Sequence, residues 1–215
     1  MIIVGDIGNT ETKICLVNSK NIIVKRVTLM TKKINFSTLK RSLSSLSLRD
    51  KLIDKCLFCS VVPKSFNKIK SFFNKNFKIK CHELKKLKLN KLVKIKVNYK
   101  QIGSDRLANA ISVINNKDNF IILDFGTATT FDVLIKNTYH GGVIAPGVKL
   151  SLDTLTDKAT QIPSINLIKK ETKMSFKIII TGGLSNLFKN STKTKVILNK
   201  DTTINGLIRA TTLIK

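Results

Sequence analysis

The sequence predicts an α/β protein made of two copies of one unit, and three observations point to that fold class. Apolar runs of strand length alternate with amphipathic runs of helical length along all 215 residues. Both halves begin with a strand, a turn and a second strand, and then add further strands and helices. The stretch DIGNTETKICLV near the N-terminus recurs in the second half as DFGTATTFDVLI. The boundary falls in NNKD, which predicts domains over residues 1–116 and 117–215.

The predicted elements of the first copy are five strands and three helices. MIIVGDIG, TKICLVN and NIIVKRVTL are three successive strands, followed by a Ser-rich helix near 37–50. The strand KCLFCSVV, the helix KSFNKIKSFFNKN and the short strand FKIKCHE come next. GSDRLANAISVINN predicts a helix because Leu107, Ala110, Ile111 and Ile114 share one face.

The second copy repeats the pattern. NFIILDFG, TTFDVLIKN and TYHGGVIAPG are predicted strands, and VKLSLDTLTDKA is a predicted helix. The strands FKIIITGG and TKVILNK and a final helix, TINGLIRATTLI, complete it.

Composition indicates a globular protein, and the N-terminal residues predict the cytoplasm as its location. Hydrophobic residues make up 42% of the chain, and no apolar run approaches the roughly 20 residues of a membrane-spanning helix. The N-terminus, MIIVGDIGNT, reads as a first strand and not as a signal peptide, because no basic region precedes its apolar residues. We therefore expect no membrane association.

The formal net charge of +26 raises the possibility of nucleic-acid binding. Nearly all of the excess is lysine spread over the whole chain, Trp is absent, and arginine occurs only at positions 26, 41, 49, 106 and 209. Nucleic-acid sites favour arginine forks and stacking aromatic rings. We interpret the lysines as a coding bias and expect no specific nucleic-acid partner, only weak, salt-sensitive contact with polyanions.

The four cysteines are predicted to be reduced, buried thiols. Cys56 and Cys59 have the CxxC spacing, but they lie in an apolar strand and no second CxxC completes a zinc site.

The repeated motif suggests a pair of phosphate-binding loops. The overlay pairs Asp6 with Asp124, Gly8 with Gly126 and Thr12 with Thr130. A glycine lets a tight turn bring backbone N–H groups against phosphate oxygens, and Asn9, Thr10, Thr127 and Thr129 add short donors. A carboxylate at the end of a buried strand costs free energy unless something binds it, and a cation would do so. The alternative is two ordinary hairpins with Asp-Gly turns; the recurrence in register favours phosphate binding.

The GSDR block at 103–106 is a second candidate site. Gly103 permits a turn, and a carboxylate at the start of the following helix can accept a proton from an attacking hydroxyl. Helix capping is the alternative role for Asp105. Arg106 is a planar fork in a chain that otherwise uses lysine, which favours bidentate binding of a carboxylate or phosphate over an exposed helix charge.

These motifs resemble those of the superfamily of acetate and sugar kinases, heat-shock ATPases and actin, and within it the type III pantothenate kinase family. DIGNT, GSDRLANA, DFGTATTFDV, GGVIAPG, TGG and INGLI stand in family order over nearly the whole chain. The resemblance implies two duplicated ribonuclease H-like domains, the actin-like ATPase fold, with a nucleotide cleft between them. It also implies an enzyme that phosphorylates pantothenate to 4′-phosphopantothenate with ATP, the first committed step towards coenzyme A.

The resemblance also assigns roles. It makes Asp105 the catalytic base and Asp124 the ligand of a monovalent cation, potassium or ammonium, with magnesium accompanying ATP. Pantothenate would contact Gly103, Ser104, Asp105, Arg106 and Thr172. ATP would contact Asp6, Ile7, Gly8, Asn9, Thr10, Glu11, Thr12, Lys13 and Thr127. The family also implies a homodimer.

The chain departs from the family pattern in two places. Lys96, and not Tyr99, stands roughly where the family has a substrate-contacting tyrosine. After Thr172 a long helical stretch is missing, since only residues 173–180 precede Thr181, and the C-terminal domain is therefore shortened. In the family those helices help to form the dimer. This shortening favours the alternative function, a catalytically weakened, nucleotide-binding regulatory relative, whereas retention of Asp105 and Arg106 favours the enzyme.

Overall fold

The computed structural model describes residues 1–46, 48, 52–148, 150–151, 175–191 and 195–214. They divide into two compact units. One contains Met1–Val113 and Asp201–Lys215, and the other contains Ile114–Lys200.

The first unit is built on a five-stranded sheet. Its strands are Ile2–Ile7 (β1), Glu11–Val17 (β2), Ile23–Met30 (β3), Lys55–Ser60 (β4) and Cys81–Glu83 (β5), in the order β3-β2-β1-β4-β5. Neighbours are antiparallel from β3 to β1 and parallel from β1 to β5. The strands β1, β2 and β4 are apolar on both faces, as expected of strands covered on both sides.

Four helices lie in the described part of this unit. They are Phe36–Leu43 (α1), Pro63–Phe77 (α2), Ser104–Val113 (α3) and a C-terminal helix at Thr202–Ala210. Asn35 starts α1 with a capping box that it shares with Thr38, and the proline at the first position of α2 needs no hydrogen-bond acceptor for an N–H group. Short 3₁₀ segments lie at Thr31–Lys33, Ser44–Leu46, Leu84–Lys86, Leu89–Lys91, Tyr99–Gln101 and Thr211–Leu213, and a two-residue strand, β6, at Lys94–Ile95.

The second unit repeats the sheet of the first. Its strands are Asn119–Phe125 (β7), Ala128–Ile135 (β8), Thr138–Pro146 (β9), Lys177–Thr181 (β10) and Val196–Leu198 (β11). They run in the order β9-β8-β7-β10-β11, antiparallel up to β7 and parallel beyond it. Both units thus share strand order and direction, which confirms the predicted α/β duplication. The helix Ser185–Ser191 (α4), which the sequence analysis did not predict, lies between β10 and β11.

The structure corrects the overlay of the two motifs. When Asp6 is matched to Asp124, the next residues of the two strands are Ile7 and Phe125. Ile7 pairs with Thr12 in β2, and Phe125 pairs with Thr129 in β8. The second turn, 126–128, is one residue shorter than the first, 8–11, so Thr12 corresponds to Thr129 and not to Thr130. Both of these threonines are buried.

The C-terminal helix, labelled α5 in chain order, is counted with the first unit, whereas the predicted second domain ran from 117 to 215. Asp201, just before α5, forms an ion pair with Arg26 of β3, and Lys55 of β4 donates to the carbonyl of Thr211. The compact units are defined by contacts within the structure, whereas the predicted domains are the two copies of a repeat. The predicted domain bounds, 1–116 and 117–215, therefore stay a prediction. The predicted helix VKLSLDTLTDKA falls mostly outside the described residues.

All four cysteines are buried and free, which confirms the predicted thiols. Cys56 and Cys81 lie side by side on β4 and β5, with their sulfur atoms 3.1 Å apart. No helix in the described part of the chain is both long and apolar enough to cross a membrane.

Candidate active site

The first candidate phosphate loop is the hairpin that joins β1 to β2. Asn9, Thr10 and Glu11 are exposed at its tip, and the Gly8 N–H closes the turn on the carbonyl of Glu11 at 3.0 Å. The side chain of Ile7 lies in the hydrophobic core, so only its backbone can meet a ligand.

Thr31, the first residue after β3, fixes the shape of this hairpin. Its hydroxyl donates to the carbonyl oxygen of Gly8 at 2.7 Å and lies 2.9 Å from the hydroxyl of Thr12. Its backbone N–H donates to the carbonyl of Thr10 at 2.9 Å. Three contacts from one buried residue therefore hold both sides of the loop.

Asp6, at the base of the hairpin, accepts a hydrogen bond from the thiol of Cys59 on the neighbouring strand β4, with sulfur and oxygen 3.3 Å apart. Burial raises the pKa of Cys59 well above its usual value, and the carboxylates of Asp6, Asp105 and Glu83 raise it further. The thiol therefore stays protonated and remains a donor. One buried sulfur atom thus lies within electrostatic reach of three carboxylates from three separate parts of the first unit.

Helix α3 places the GSDR residues. The Leu107 N–H donates to the carbonyl of Gly103, which makes Gly103 the residue before the helix. A Cβ atom at Gly103 would lie 2.3 Å from Oδ1 of Asp105, so glycine leaves room for this carboxylate. The hydroxyl of Ser104 is buried and donates to Oε1 of Glu83 at 2.6 Å.

Asp105 is half-buried in the first turn of α3. Its Oδ1 atom accepts the backbone N–H of Arg106 at 2.8 Å. Among the described residues, Oδ2 of Asp105 makes no hydrogen bond or ion pair. One oxygen thus serves the local structure and leaves the other as the candidate proton acceptor.

Arg106 is buried, with 8% of its surface exposed. The alternative of an exposed helix charge is therefore wrong. A buried guanidinium is costly unless acceptors surround it, which fits the bidentate role inferred from its chemistry.

Tyr99 serves the loop in front of α3. Its hydroxyl donates to the carbonyl of Lys85 at 2.9 Å, and burial raises its pKa, with a smaller contribution from Glu83. The ammonium group of Lys85 lies over the Tyr99 ring.

The second candidate loop and Asp124 lie in the second unit. Asp124 pairs in register with Thr130 on β8 and with Thr181 on β10, and Thr127 is exposed at the turn. Gly182 follows Thr181 with a φ angle of +91°, and a Cβ atom there would lie 2.5 Å from Oδ1 of Asp124. A side chain at this position would collide with the Asp124 carboxylate and with the backbone of Phe125, so glycine permits the close packing of these groups. A carboxylate oxygen is the type of ligand that a hard cation prefers.

The structure thus brings Asp6, Asp105 and Ser104 into one region of the first unit, around Cys59 and Glu83. It places Asp124 and Thr127 at the corresponding hairpin of the second unit. Thr172 lies outside the described residues. Thr31, Cys59 and Glu83 were not predicted as site residues: Glu83 ends a predicted strand, Cys59 lies within one, and Thr31 lies just beyond the third. No group of three or more His, Cys, Asp or Glu residues within the described ranges is arranged to hold a metal ion by itself.

Comparisons with known proteins bear on the family and on the fold. The sequence profile of the family described as type III pantothenate kinase matches residues 2–181. A type III pantothenate kinase of Pelagibacter ubique is 74% identical over 248 aligned positions, which cover 100% of both chains. Because this chain has 215 residues, the relative contains residues that it lacks.

Solved structures of low sequence identity support the fold. The ethanolamine utilization protein EutJ of Carboxydothermus hydrogenoformans superposes with a TM-score of 0.58 at 11% identity, over 98% of this chain and 89% of that one. An inorganic polyphosphate/ATP-glucomannokinase of Arthrobacter has a TM-score of 0.50 at 11% identity, over 97% and 96%. The fold is that of the actin-like ATPases and sugar kinases, as predicted.

Proposed function

We propose roles in binding and catalysis for the site residues described above, on the premise that this chain belongs to the type III pantothenate kinase family. The activity is the transfer of the γ-phosphoryl group of ATP to pantothenate. The observation that supports the residue assignments is the start of α3, where Ser104 donates to Glu83 of β5 and is followed by Asp105 and the buried Arg106, while Cys59 of the neighbouring strand β4 donates to Asp6.

Asp105 acts as the general base. Its carboxylate accepts the proton of the primary hydroxyl of pantothenate while the oxygen attacks the γ-phosphorus atom. The new phosphorus–oxygen bond forms as the bond to the β,γ-bridging oxygen breaks, and ADP leaves with the electron pair. A carboxylate at a helix start suits this step because the first turn of α3 holds one of its oxygens by the Arg106 N–H.

The hairpin from Asp6 to Lys13 binds the phosphates of ATP. The exposed Asn9, Thr10 and Glu11 form its tip, and backbone N–H groups of such a turn can point at phosphate oxygens. Thr127, exposed at the second hairpin, also contacts ATP.

Pantothenate binds at the GSDR residues and at Thr172. The buried fork of Arg106 suits the carboxylate of pantothenate, because two parallel N–H groups match its two oxygens. Gly103 and Ser104 form the adjoining wall.

Cations complete the site. The family implies a divalent ion with ATP, and magnesium would neutralise charge on the transferred phosphoryl group. Asp6 offers the hard oxygen ligands that such an ion prefers. Asp124, with Gly182 beside it, would hold the monovalent cation, potassium or ammonium. We further propose a homodimer, which the resemblance implies, and a location in the cytoplasm, which the sequence analysis expects.

A direct assay tests the function. Purified protein with ATP, magnesium, potassium and pantothenate is expected to form ADP and 4′-phosphopantothenate in equal amounts, with no ADP formation when pantothenate is omitted. The weakened regulatory relative is the alternative; it predicts ATP binding without phosphorylated product. Family membership and 74% identity to a named kinase do not favour it.

A further inference from the structure

We infer that Glu83 is a positioning residue for Asp105, acting through Ser104; the inference rests on the proposed role of Asp105 as base. Oε1 of Glu83 accepts the hydroxyl of Ser104 at 2.6 Å. Hydrogen bonds of this length to an ionised acceptor are among the stronger ones in proteins.

The two partners connect the sheet to the catalytic helix. Glu83 is the last residue of β5, where it pairs in register with Phe58 of β4. Ser104 is the first residue of α3 and has 1% of its surface exposed. The bond therefore holds the first residue of α3, one position before Asp105, against β5 at the edge of the sheet.

Further hydrogen bonds hold the chain that leads into α3. Lys85 donates through its ammonium group to the carbonyl of Ile102 at 2.8 Å and to that of Lys100 at 3.3 Å. Tyr99 donates through its hydroxyl to the carbonyl of Lys85 at 2.9 Å. With the bond from Ser104 to Glu83, residues 83–85 thus make four hydrogen bonds with residues 99–104. Of these four, the one to Glu83 is nearest in sequence to Asp105.

This arrangement predicts a selective kinetic effect. If the first turn of α3 shifts, Asp105 moves relative to the hydroxyl of the substrate, and a displacement of about 1 Å can lower a rate on the order of 100-fold. The hairpin proposed to bind ATP is held by Thr31 and not by Glu83. Loss of the Glu83 contact should therefore lower kcat and leave the KM for ATP almost unchanged.

Four variants test the inference: Glu83→Ala, Glu83→Gln, Ser104→Ala and the double variant Glu83→Ala with Ser104→Ala. Glu83→Ala is expected to lower kcat about tenfold, while Glu83→Gln keeps most of it, because the amide oxygen still accepts the serine hydroxyl. The double variant should lose no more than the worse single variant, since both single changes break the same bond. Asp54→Asn is the matched control, because it removes an exposed carboxylate of the same unit.

Hydrogen–deuterium exchange gives a readout that does not depend on activity. Faster exchange in the peptide over residues 103–110 is expected in Glu83→Ala and Ser104→Ala, and wild-type exchange in Glu83→Gln and Asp54→Asn. Unchanged exchange in both Glu83→Ala and Ser104→Ala overturns the inference, and so does an equal loss of kcat in Glu83→Gln and Glu83→Ala. If the wild-type protein does not phosphorylate pantothenate, the proposed function fails, and the exchange result still decides whether Glu83 fixes the helix.

Discussion

The hydroxyl of Thr31 donates a hydrogen bond of 2.7 Å to the carbonyl oxygen of Gly8. Thr31 directly follows the third strand and Gly8 lies in the first hairpin, so the shape of this hairpin depends on a residue 23 positions further along the chain. The same hydroxyl lies 2.9 Å from that of Thr12. The geometry of the proposed phosphate loop is therefore set by a residue that need not touch ATP.

Thr31→Val should weaken ATP binding. Valine has nearly the same shape but cannot donate, so the Gly8 carbonyl and the Thr12 hydroxyl lose a partner, at a cost of about 1–3 kcal/mol. We expect the KM for ATP to rise about fivefold to tenfold if part of that cost falls on the ATP-bound state. Steady-state kinetics at varied ATP and saturating pantothenate measure it. Thr212→Val, the same change at an exposed position, is the control; an equal KM in both variants would contradict the role of Thr31.

Arg106→Lys should impair pantothenate binding more than ATP binding. Lysine keeps the positive charge and loses the planar fork, so one of two parallel hydrogen bonds to a carboxylate is lost. The KM for pantothenate should rise by about tenfold to a hundredfold, which corresponds to about 1.4–2.8 kcal/mol. Kinetics at varied pantothenate test this. Arg41→Lys, at an exposed position of α1, should leave that KM as it is; a normal KM in Arg106→Lys would remove Arg106 from the substrate site.

Asp124→Asn should abolish the response to monovalent cations. In the wild-type protein, potassium or ammonium should support activity and sodium should not, because the proposed site selects by ion size. The asparagine variant keeps the side-chain shape but lacks the charge, so its rates in potassium and sodium should be equal and low. Asp118→Asn, which removes the carboxylate bound to Lys177 at the start of the same strand, is the control. Equal rates with sodium and potassium in the wild-type protein would contradict the assignment.

Tyr139→Phe should destabilise the second unit. Tyr139 is fully buried and donates to Oδ1 of Asp132, which is also fully buried. Removing a donor from a buried carboxylate should lower the free energy of unfolding by about 1–3 kcal/mol. Denaturant unfolding measures the change. Tyr99→Phe removes the other tyrosine hydroxyl, from a half-buried site, and should cost less. A larger loss of unfolding free energy in Tyr99→Phe than in Tyr139→Phe would show that the Asp132 carboxylate does not depend on Tyr139.

Some parts of the fold could be predicted because they depend on residues that lie close together in the sequence. The strand–turn–strand starts, the apolar face of α3 and the glycine before it are readable from spacing alone. The turn of the second hairpin was misaligned by one residue, since turn length is decided by strand register. Helix α4 was missed because its main support is tertiary: the ring of Phe188 stacks on Phe125, with their centroids 4.0 Å apart.

The supporting residues of the site could not be predicted for a similar reason. Cys59 and Glu83 come close to the start of α3 because β1, β4 and β5 are parallel neighbours. Spacing along the chain gives no sign of that order. The sequence pointed to Asp105 and Arg106 by residue type, whereas the partners of the first turn of α3 needed the sheet topology.

The most direct test of the account is the turnover of Asp105→Asn. Asparagine keeps the shape and an oxygen that can accept the Arg106 N–H, but it is a far weaker base for the substrate proton. We expect kcat to fall by about 100-fold to 10,000-fold, while equilibrium binding of ATP, measured by titration, changes little. Undiminished turnover in Asp105→Asn would contradict the assignment of Asp105 as the catalytic base.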